Sequence, residues 1–142
     1  PINVIINTSN TFVNITDSTP PTYILSSNSE RFIISDSTIG ELTYTGIKNI
    51  SSRISVYLSI AGVSGNNHNC SISIFLDSGS GYLECQNSEF ICTAGSNPIL
   101  GTSQCIIDIK PFDKIKVNIK NISDTTNLDV FAINIQATTL AM

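Results

Sequence analysis

The chain has no tryptophan, one histidine, one methionine and only seven lysines and arginines in 142 residues. A single histidine rules out a multi-histidine metal site. Seven basic residues against eleven acidic ones, for a net charge of −4 and a pI near 4.6, leave no basic footprint for nucleic acid or an anionic membrane surface. Charged residues make up 13% of the chain, about half of the roughly 25% usual for a soluble domain, while 41% are hydrophobic. Disorder is excluded by that balance, and the length suits one domain, 1–142, with a real core. No apolar run approaches the roughly 18 residues that span a bilayer, so membrane insertion is not expected. The first residues, Pro1-Ile2-Asn3, lack the basic flank and small-residue cleavage site of a signal peptide, although a mature or excised product would look the same.

With so few charges, the polar surface must come from neutral groups. The chain carries 20 Ser, 14 Thr and 15 Asn, against 24 Ile and only five Ala. Ile and Thr are stiff at χ1 and suit a pleated surface, and good helix formers are scarce, so the composition predicts an all-β protein. Period-two alternation supports this. Ile54, Val56, Leu58 and Ile60 share one face, with Ser55, Tyr57 and Ser59 on the other. Cys70–Asp77 and Lys114–Lys120 alternate likewise and read as half-solvated antiparallel strands, the second with three lysines on one face. Further strands are expected at Ile2–Ile6, Thr11–Ile15, Thr22–Leu25, Arg31–Ser35, Glu41–Thr45, Tyr82–Cys85, Glu89–Cys92, Gln104–Lys110 and Leu128–Ala137. Leu128–Ala137 is apolar on both faces, which places it centrally in a sheet. Turn-rich clusters separate these runs, and many short strands at near-regular spacing predict a sandwich or barrel. Residues 1–30 are more polar and contain Pro20-Pro21, so they read as a peripheral arm or strand pair.

Little in the sequence suggests catalysis. His68 lies in the polar run Gly65–Asn69 and reads as a solvated loop histidine, with no Gly-x-Ser-x-Gly context for a nucleophile. Glu84, Glu89, Asp108 and Asp113 show no spacing that pairs them as general acid and base. The cysteines, Cys70, Cys85, Cys92 and Cys105, fit no zinc spacing. A Cys85–Cys92 disulfide across an expected hairpin is one reading, and four reduced, buried thiols the other. Five Asn-x-Ser/Thr sites, at Asn7, Asn14, Asn49, Asn69 and Asn121, are close to what composition alone produces. Asp77-Ser78-Gly79-Ser80-Gly81 reads as a hairpin turn, not a phosphate or calcium loop. No cofactor and no metal are expected.

From Glu41 onward the order and spacing of strands resemble the trimeric jelly-roll heads of complement and tumour-necrosis-factor proteins and of viral and phage fibres. Four features carry the resemblance: Leu42-Thr43-Tyr44-Thr45-Gly46 ahead of Ile54–Ile60; Ile72–Leu76 running into a Gly-Ser turn; Ile106–Lys110, a turn and Lys114–Ile119; and the closing strand Leu128–Gln136. Viral members often carry Gly-Asp in the turn where this chain has Pro111-Phe112-Asp113, and Asp113 retains the ability to accept turn amides.

The resemblance implies a jelly-roll sandwich of about ten antiparallel strands, a homotrimer, and an attachment role on a virion surface. The partners would be a host-surface glycan or protein receptor and other virion proteins, bound without catalysis and with avidity from three weak copies. Contact candidates are Asn66, Asn67 and His68 in Gly62–Asn69, and Asn87, Phe90 and Asn97 in Cys85–Pro98, the longest polar connections. One alternative is a monomeric carbohydrate-binding or adhesin β-sandwich of a secreted, extracellular protein, with Tyr44, Tyr57, Tyr82 or Phe90 as stacking platforms. Another is a purely architectural capsid or spike protein.

Overall fold

A computed structural model describes residues 1–16, 24–25, 31–63 and 65–141. The turn clusters expected at 17–21 and 26–30 lie outside them. All regular structure among the described residues is β. One sheet has the order β1 (Ile2–Val4), β12 (Leu128–Ala141), β6 (Ile50–Gly62), β10 (Ile99–Ile109), with β3 (Ile24–Leu25) joined to β12. The other runs β4 (Phe32–Asp36), β5 (Glu41–Tyr44), β11 (Lys114–Asn121), β7 (His68–Asp77), β8 (Tyr82–Glu84), with β2 (Val13–Asn14) on β11 and β9 (Phe90–Ala94) on β7.

From β5 onward every connection crosses between the sheets except β7–β8 and β8–β9, so that strands distant in sequence pair. This is the arrangement of a jelly roll. Pairing is antiparallel except for β3, which runs parallel to β12. The long apolar strand is central, as expected, between β1 and β6. The alternating faces meet between the sheets: Ile54, Val56, Leu58 and Ile60 from β6 pack in one core with Ile72 and Ile74 from β7 and Ile115, Val117 and Ile119 from β11. Deleting one such side chain to Ala typically costs about 2–5 kcal/mol.

The N-terminal strands join different sheets: β1 extends one through Ile2↔Val130, and β2 extends the other through Ile119↔Val13. One expectation is corrected. β7 is not half-solvated, since Ser71 and Ser73 are buried; β11 keeps its alternation, with Lys114 part-exposed, Lys120 over the Phe12 ring at 4.4 Å and Lys116 over Tyr82 at 4.2 Å. The covering groups come from parts of the chain remote from these strands, so their own alternation carries no trace of them.

Candidate functional site

The outer face of the β6–β10 pair is set by register. Tyr57 stands opposite Thr102 on one side and Asn134 of β12 on the other, and the next row is Gln136, Ser55, Gln104. Inward neighbours Val56 and Leu58 are buried, which forces Ser55 and Tyr57 outward, and Tyr57 remains 43% exposed. Against this face lies the connection between β8 and β9. Together they form an open depression of about 320 Å³ lined by Ser55, Tyr57, Asn87, Ser88, Glu89, Phe90, Thr102, Ser103 and Gln104.

Ser88 fixes that connection in place. Its hydroxyl contacts Ser73 Oγ at 2.7 Å, accepts from the Ile74 amide at 3.0 Å and reaches the Cys85 carbonyl at 2.8 Å, all in the seven-stranded sheet or its edge. Its carbonyl accepts from the Ser103 hydroxyl of β10, in the other sheet. Beside it, Asn87 has a φ of 61°, a left-handed conformation that Asn tolerates better than most residues. Glu89 is engaged: its Oε1 accepts from Ser71 Oγ at 3.0 Å and lies 3.3 Å from Lys120 Nζ. The wall therefore presents Ser55, Thr102, Asn87 and Gln104 to solvent beside the Tyr57 ring and the Glu89 carboxylate, while the Ser88 and Ser103 hydroxyls are buried.

Of the sequence-derived contact candidates, Asn87 and Phe90 line this depression and Asn66, Asn67, His68 and Asn97 do not. The loops of Asn66 and Asn97 meet elsewhere, where the Gly62 amide donates to the Gly95 carbonyl at 2.8 Å. His68 is not a solvated loop residue. It opens β7, is buried, and its Nδ1 lies 2.9 Å from Asp124 Oδ2 in the β11–β12 turn. The amide of Thr126 holds the Asp124 carboxyl below the usual carboxylate range, with the Thr126 and His68 side chains adding to it.

Among the four aromatics considered as platforms, Tyr57 and Phe90 lie in the depression. Tyr44 is fully buried, its hydroxyl donating to the Lys48 carbonyl at 2.8 Å. Tyr82 donates to Glu41 Oε2 at 2.6 Å under the Lys116 ammonium, and burial, then Glu41, pushes its phenol pKa up.

Of the candidate acids, Glu84 and Glu89 line a second open depression with Cys85, Gln86, Asn87 and Ile91, while Asp113 accepts from the Lys110 amide at 2.9 Å and from Ser78 Oγ at 3.2 Å in the β10–β11 turn. The described residues hold no cluster of three or more His, Cys, Asp or Glu suited to a metal ion.

The expected Cys85–Cys92 closure is also corrected. It assumed that β8 and β9 form a hairpin, but both pair with β7, end to end along one edge: Phe75↔Glu84 and Ile72↔Phe90. Cys92 instead faces Cys70, and Cys85 contacts Cys105; all four are thiols in this structure.

Sequence reading missed Ser55, Ser88, Thr102, Ser103 and Gln104. The alternation of β6 does signal that Ser55 accompanies Tyr57, but the strand expected from Gln104 begins at Ile99, directly after the turn-like run ending at Pro98, so the expectation omits Thr102 and Ser103.

No protein-family model and no curated protein matches the chain. Among solved structures, it is similar to a Xyl-CBM35 in complex with a glucuronic acid containing disaccharide, at 15% identity and a TM-score of 0.31, over 99% of this chain and 90% of that one. It is likewise similar to the CBM35 from Cellvibrio japonicus Abf62, at 13% identity and a TM-score of 0.31, over 96% and 88%. Superpositions this loose carry no weight for fold or function, which rest on the geometry above.

Proposed function

We propose that this domain is a non-catalytic glycan-binding β-sandwich whose site is the depression between the β6–β10 face and the β8–β9 connection. The observation that carries the reading is one exposed aromatic ring, Tyr57, with the half-buried edge of Phe90 beside it and a wall of hydroxyl and amide groups. A sugar ring presents an apolar C–H face and a rim of hydroxyls, each both donor and acceptor. An aromatic face answers the first and Ser, Thr, Asn and Gln side chains answer the second. The wall residue with a charge, Glu89, is engaged by Ser71 and Lys120, which favours neutral sugars over charged ones. An attachment head on a particle would need the same exposed glycan site, so the test is the same whichever body displays the domain.

The test is a screen of immobilised neutral oligosaccharides followed by calorimetric titration of the hits. Tyr57→Ala and Gln104→Ala are expected to weaken binding by about tenfold or more, equal to ~1.4 kcal/mol. Asn97→Ala, on the remote loop, should leave affinity unchanged. A screen without hits, or a Tyr57→Ala protein that binds as well as its parent, would overturn the assignment.

A further inference from the structure

The connection that walls the depression runs from Cys85 to Cys92, and each of these cysteines has a different partner. Cys70 and Cys92 are directly opposite in the β7–β9 ladder, with their sulfurs 3.4 Å apart. Opposed residues of antiparallel strands have Cα atoms about 4.5–5.5 Å apart, inside the roughly 4.4–6.8 Å that disulfides span. Cys85, just past β8, lies in the core between the two sheets, and Cys105 of β10 packs against that core beside it, near enough for the two thiols to interact. Four cysteines allow three pairings, and the fold selects the one whose members are neighbours, since Cys92 is taken by Cys70.

We infer that the four thiols are the precursors of two disulfides, Cys70–Cys92 within the seven-stranded sheet and Cys85–Cys105 between the sheets. The oxidant is a small-molecule disulfide such as glutathione disulfide. In each pair the more accessible member, Cys92 or Cys105, attacks first, because its partner is buried. The partner's hydrogen bond also holds the Cys92 and Cys105 pKa below the ordinary thiol value. The attacking thiolate, having lost its proton to solvent, bonds to one sulfur of the oxidant and expels one glutathione thiolate. Cys70 or Cys85 then loses its proton, attacks that protein sulfur and expels the second glutathione. Each protein pair loses two electrons and two protons, and each oxidant is reduced to two thiols. The result ties both ends of the 85–92 segment: one to β10 and the other to β7.

This inference does not depend on the glycan reading, and its test uses no glycan. The folded full-length chain is incubated in a reduced and oxidised glutathione buffer, then analysed by intact mass and by non-reducing peptide mapping. A loss of about two mass units per pair, about four in all, is expected. The map should show only Cys70–Cys92 and Cys85–Cys105. Cys92→Ser should lose the first bond and retain the second, and Cys105→Ser the reverse. As a control, the same oxidation in urea should scramble the pairing, which shows that the fold selects it. An unchanged mass, persistent glutathione adducts, or a map containing Cys85–Cys92 would overturn the inference.

Discussion

Phe112 occupies a backbone position that suits glycine: its φ is 72°, and its ring is 79% exposed. In that region Cβ crowds the following carbonyl, at a cost of roughly 1–2 kcal/mol for an ordinary residue. The turn survives because its neighbours hold it. The Asp113 carboxylate accepts from the Lys110 amide at 2.9 Å, and the Phe112 amide donates to the Tyr44 carbonyl at 3.0 Å. Phe112→Gly relieves the strain and loses little burial, although glycine gives back part of the gain as unfolded-chain entropy. The variant is expected to be more stable by about 0.5–1 kcal/mol, read as a higher urea midpoint at unchanged slope. An unmoved or lower midpoint would show that the ring makes contacts worth as much as the strain. Asp113's role was legible in the sequence because a turn acid has few other uses. His68 was not, since its place in β7 and its Asp124 partner, 56 residues away in sequence, leave no mark on the local run.

Strands were legible and their partners were not. Each segment with period-two alternation forms a strand, because that pattern needs only local residues and one buried face. Pairing is long-range, and two pairs of short strands share an edge in ways no periodicity encodes: β8 and β9 along β7, and β5 and β2 along β11. The candidate site inherits that blindness. Tyr57 and Phe90 were each visible as aromatics, but their meeting depends on the β8–β9 connection turning away from a hairpin and across to β10. Ser88 is the residue that makes it turn, being buried and bonded to both sheets. Ser88→Ala leaves the Ile74 amide and Ser73 hydroxyl without this partner, at a cost of about 1–3 kcal/mol. Chemical denaturation should show that loss, together with faster amide exchange at Ile74. A variant within about 0.5 kcal/mol of its parent, the range of an ordinary surface change, would remove Ser88 from this role.

For the whole molecule, glycan binding and threefold assembly make opposing demands on the same surface. Packing the β6–β10 face about an axis would bury the rows Asn134–Tyr57–Thr102 and Gln136–Ser55–Gln104 against other copies. Stable subunit interfaces are rich in apolar area at their centre, whereas these rows are mostly amides and hydroxyls that would need new partners on losing water. The exposed apolar side chains on this sheet, among them Leu100, Ile106 and Phe131, are interleaved with polar residues. A monomer is therefore expected: light scattering after size exclusion should give a mass near 15.3 kDa, with and without reductant. Insensitivity to reductant follows from the cysteine geometry, since both pairs close within one chain and leave no thiol to join two chains. A mass near three times that value would restore the threefold packing implied by the fibre-head resemblance. Tyr57→Ala would then discriminate: loss of the trimer would place Tyr57 in the interface, and loss of sugar binding from an intact trimer would place the glycan site on its outer surface.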